Sequence, residues 1–162
     1  MVEKGYAKIA TTGGPWGETD ANFTSMREDF IEQHPEAAVG WMKAEIEAIR
    51  FLIDHPREST KIIASELTGY DEQTVWSALY EAIPASQGGD PVNYIGQLTF
   101  DDKVLDLMNK GYKFLHQIKV IESPDMPKTA INDAPLKKAM QEMGVTAPLG
   151  EIRGLPRSAF KN

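Results

Sequence analysis

Between Arg27 and Tyr80 the chain is a run of apolar residues at helical spacing, cut twice by a His-Pro pair, His34-Pro35 and His55-Pro56. Proline lacks an amide proton and collides with the carbonyl four residues back, so each pair ends one helix; its fixed φ suits the first turn of the next. The run therefore predicts helices in close succession. A short first helix is capped by Ser25, with Glu28 three residues later as in a capping box. A long second helix spans about Pro35 to Asp54, with Ala38, Met42, Ile46, Ile49 and Ile53 along one buried stripe. A third opens at Asp54-His55-Pro56, carries Ile62, Ile63 and Leu67, and closes at Gly69, where glycine takes the left-handed position. Asp71 caps a fourth, with Val75, Trp76 and Leu79 facing inward.

The flanks read differently. Tyr6 to Thr12 alternates weakly and predicts a short strand that runs into the loop Gly13-Gly14-Pro15-Trp16-Gly17, and Asn22 to Met26 predicts a second strand. Pro84 to Leu98 is a loop around Gly88-Gly89-Asp90-Pro91, with an extended piece at Val92 to Ile95. Thr99 and Asp102 cap a helix to about Ile118, striped by Val104, Leu105, Met108, Tyr112 and Leu115. Asp133 caps a last helix, with Pro135 in its first turn and Gly144 after it. Trp41, Trp76, Tyr80, Tyr112 and Phe114 fall at helical spacing and are expected in the packed interior. Beyond Val145 the Pro-, Gly- and Arg-punctuated tail is expected to be poorly ordered. An isolated strand pair is unstable in water, so the sheet that holds the two early strands is expected to come mainly from preceding polypeptide.

Composition excludes several classes of function. The chain has 162 residues, 41% of them hydrophobic, enough for a core and more than a disordered tail carries. A net charge of -7 without a basic cluster is a poor match for phosphate backbones, so nucleic acid is not an expected partner. With no cysteine, disulfides, thiolate nucleophiles and cysteine-based zinc sites are absent. No segment is apolar over the length a membrane span requires, and the first residues lack the apolar core of a signal peptide.

The segments Met26-Arg27-Glu28-Asp29-Phe30-Ile31-Glu32-Gln33-His34-Pro35-Glu36, the long helix ending Asp54-His55-Pro56, and Ala64-Ser65-Glu66-Leu67-Thr68-Gly69-Tyr70 together resemble the solute-binding proteins of ABC importers for nitrate, sulfonate and taurine. The likeness covers roughly residues 5 to 120 and lies in the order and spacing of structural punctuation. It implies an α/β chain: the helix-rich C-terminal part of a periplasmic-binding-protein-like, type II two-lobed fold, with one or two short N-terminal strands. Residues 1–24 would be the end of the second lobe and the crossing strand, 25–122 the helical part of the first lobe, and 123–162 a C-terminal helix and tail. The implied activity is capture of a small anion or organic solute and its delivery to an ABC permease. The full-length protein would then be periplasmic or otherwise extracytoplasmic.

On that reading the loop between the two predicted strands borders the ligand cleft. Trp16 supplies an apolar wall, and Glu18, Thr19, Asp20 and Asn22 supply oriented polar groups, the usual make-up of a small-solute pocket. The bland alternative is that Trp16 merely anchors a surface loop. Glu18 and Asp20 lack the spacing of a calcium loop, and His34, His55 and His116 stand far apart at helix boundaries, so no metal site, cofactor or catalytic set is expected. Two other functions compete with solute capture. One is a stand-alone helical module that self-associates or binds a partner, since uncovered apolar faces favour homo-oligomers. The other is an enzyme like the thiamine-pyrimidine synthases, which resemble the same family but carry a cysteine-rich motif missing here.

Overall fold

The computed structural model describes residues 5–8, 10 and 23–160. Among them are six α-helices and one two-stranded antiparallel sheet, a helix-rich α/β chain. In order these are α1 (Glu28–Gln33), α2 (Pro35–Asp54), α3 (Pro56–Glu66), α4 (Glu72–Leu79), β1 (Val92–Ile95), α5 (Asp102–Gln117), α6 (Ala134–Met143) and β2 (Glu151–Arg153). Two 3-10 turns, Ala85–Gln87 and Arg157–Phe160, complete the fold. The His-Pro pairs act as expected, for α2 begins at Pro35 and ends at Asp54, and α3 begins at Pro56. Asp71 caps α4, its carboxylate accepting from the Thr74 amide at 2.8 Å.

The residues form two compact units that interleave in sequence. The first gathers 44–97 and 146–160, with 5–8 and 10; the second gathers 23–43 and 98–145.

In the first unit α3 packs on α4, and the core centres on Trp76 (2% exposed), Tyr80 (1%) and Ile152 (5%). Trp76 lies 5.2 Å from Tyr80 and 5.6 Å from Phe160, centroid to centroid. Burial of each such side chain stabilises by about 1.5–3 kcal/mol. The Tyr80 hydroxyl donates to the Leu52 carbonyl at 2.8 Å, so its one polar atom is satisfied. The Trp76 indole nitrogen is buried with no acceptor among the described residues, a cost of about 1–3 kcal/mol that the buried ring offsets. Strand β1 pairs with β2 with Val92 opposite Arg153, Tyr94 opposite Ile152 and Ile95 opposite Glu151. Leu155 extends this layer, bridging to Glu81 and accepting from the Ala82 amide at 2.9 Å.

The second unit buries smaller groups: Ala38, Val39, Pro135, Ala139 and Val145. Ion pairs join α2 to α6 at Glu36–Lys138 (2.7 Å) and Lys43–Glu142 (2.6 Å). Phe23 stacks on Phe100 with centroids 5.8 Å apart. Gly144 ends α6 at φ +63°, as its position after the helix predicted.

Several expectations need correction. Residues 23–27 contain no strand, nor do the described residues among 5–10, so the sheet lies at β1 and β2 instead. The tail after Val145 is ordered through 160, because Ile152, Leu155 and Phe160 fill the side of the core that α4 leaves open. The first helix is flanked by Arg27 with no side-chain cap, and the carboxylate that caps α5 is Asp101, accepting from Val104 at 2.9 Å. Asp133 precedes α6 but makes no capping bond. On α3, Ile62 and Leu67 are about half exposed while Ser59 and Thr60 are buried. Their hydroxyls donate to the Phe51 and Pro56 carbonyls, which removes the cost of hiding them. Trp41 and Phe114, expected in a packed interior, are exposed by 55% and 58%.

Candidate functional site

The expected ligand-side residues Trp16, Glu18, Thr19, Asp20 and Asn22 lie outside the described residues. A concavity of the first unit opens where the turn after α4 meets the strand pair. Ala82, Ile83 and Ala85 form one wall; Gly89, Asp90 and Pro91 form another; Arg153 and Gly154 close it, around about 320 Å³.

Two glycines make this depression. A Cβ at Gly89 would fall 1.8 Å from the Ile83 carbonyl oxygen, and one at Gly154 would fall 2.8 Å from the Ala82 Cα. Neither neighbour is a flexible side-chain tip, so no other residue fits without moving backbone. Gly88, at φ +81°, turns the chain just before this close approach, a conformation glycine adopts without strain. The Gly154 amide donates to the Pro91 carbonyl at 3.0 Å, which pins the two arms together. Asn93 donates from one side-chain nitrogen to the Leu79 and Glu81 carbonyls, at 3.1 and 3.0 Å, and fixes the end of α4 to β1.

The charged groups at the rim are already engaged. Asp90 accepts from the Val92 amide at 2.9 Å, and Arg153 pairs with Glu151 at 2.6 Å. The lining contains no serine, cysteine or histidine. Its chemistry is that of a shallow recognition surface with one carboxylate, one guanidinium and apolar walls. On sequence alone Gly88-Gly89-Asp90-Pro91 reads as a plain loop and Arg153-Gly154 as loose tail. The paired glycines are the one local signal of a close approach; that Gly154 meets Ala82 is a long-range fact with no local mark.

The histidines are helix-end residues. His34 lies 5.4 Å from the Phe30 ring and His55 lies 4.7 Å from Phe51, while His116 Nδ1 is 3.3 Å from the Ile121 carbonyl. Among the described residues no three His, Cys, Asp or Glu side chains come together as a metal-binding group. No helix there is long and apolar enough to cross a membrane. Burial pushes the Tyr80 phenol above its usual value, and burial followed by the nearby Glu45 carboxylate does the same for Tyr94, so both phenols remain protonated at ordinary pH. No family model, curated protein or solved structure matches the chain.

Proposed function

We propose that the chain is the helix-rich C-terminal part of a type II two-lobed solute-binding protein that serves an ABC importer of the nitrate, sulfonate or taurine kind. The observation that carries this reading is the set of helix boundaries. Helix α1 stops before His34, α2 runs from Pro35 to Asp54, α3 starts at Pro56, and Gly69 turns the chain at φ +89° ahead of the Asp71 cap of α4. These are the boundaries of the segments on which the resemblance rests. In this reading the lobes' sheets are supplied by further polypeptide, the partner is a membrane permease, and the function is exercised outside the cytoplasm. Trp16, Glu18, Thr19, Asp20 and Asn22 remain the ligand-side set. Capture works by hinge closure, in which a solute that bridges both lobes stabilises the closed state by its differential affinity.

A thermal-shift panel of nitrate, taurine, alkanesulfonates and pyrimidines tests the reading. A ligand of the folded state stabilises by mass action, about 2.7 kcal/mol at roughly a hundredfold excess over its Kd, which raises Tm by several degrees. Flat melting curves with every compound, together with unchanged tryptophan fluorescence, would count against a solute site in this chain.

A second reading, a helical interaction module, is favoured by one region. Phe114 (58%), in the last turn of α5, and Ile118 (50%) and Val120 (64%), just after it, are all exposed. Single exposed apolar residues are ordinary on any protein surface, whereas a contiguous group marks an interaction face.

A further inference from the structure

We draw no further inference here: the strongest candidate, the depression of the first unit between Ile83, Gly89 and Gly154, belongs to the site already described, and its charged rim groups, Asp90 and Arg153, are taken up by the Val92 amide and Glu151, so nothing in the structure shows what would fill it.

Discussion

The two compact units are held by different means. The unit that contains α3, α4 and the β1–β2 pair buries large rings and branched chains, Trp76, Tyr80, Ile46 and Ile152, and the Tyr80 hydroxyl at its centre finds a partner. The unit that contains α1, α5 and α6 buries alanines, a proline and two valines, and its described links between α2 and α6 are exposed ion pairs. Buried area is the dominant favourable term in folding, and exposed ion pairs contribute little once solvated and screened. The contrast teaches that the first unit gathers large side chains into a core, while the second is held by small buried residues and surface ion pairs.

The comparison breaks if Trp76→Ala is mild. Truncation of a fully buried indole costs about 3–5 kcal/mol, the largest effect expected of any single change in the chain, read as a drop in the denaturation midpoint. An equal change in the denaturant dependence of both units would show that they unfold as one.

Ala139→Leu probes the other side. Ala139 is fully buried in α6, so extra methylenes force neighbouring groups apart, at a cost of about 1–3 kcal/mol in chemical denaturation. A neutral outcome would mean that α6 is seated loosely, and would sharpen the contrast further.

The smallest effect concerns the ion pairs. Hydrogen bonding to Lys43 holds the Glu142 carboxyl below the usual glutamate range, and hydrogen bonding to Glu36 raises the Lys138 ammonium. A depressed carboxyl adds stability that is present above the unfolded value of 4.5 and is lost as pH falls through the folded value. A raised ammonium adds stability that is present below 10.5 and is lost as pH rises through the folded value. Both groups lie at the surface, so the melting of α6, followed by amide exchange, should respond weakly to pH in those windows and less still in high salt.

How far the sequence was legible follows the same division. Local chemistry was readable: prolines set the ends of α2 and α3, Asp71 announced its cap, and Val92–Ile95 forms β1 where a short extended piece was expected. Long-range partners were not. Glycine, proline and arginine in the tail satisfy every local criterion for looseness, yet Ile152 and Phe160 lie against Trp76 because the core has a vacancy that only a distant segment fills. Residues 23–26, apolar enough for a strand, find no strand to pair with among the described residues and remain coil. Helical periodicity set Val104, Leu105, Met108, Tyr112 and Leu115 on one stripe of α5; the first four are half-buried and Leu115 is exposed, since periodicity reports a face and not how deeply it is covered. Of the candidate site, the ligand-side residues between Trp16 and Asn22 lie outside the described residues, and the depression at Gly89 and Gly154 left only a glycine pair that reads as a turn.

The contact between Trp76 and Phe160 sets a timetable. Eighty-four positions separate the two rings, so a ribosome adding roughly 5–20 residues per second finishes α4 about 4–17 s before the ring that completes its shelter exists. Throughout that interval the indole stands open on one side, and holdase chaperones have a natural grip on the nascent chain there.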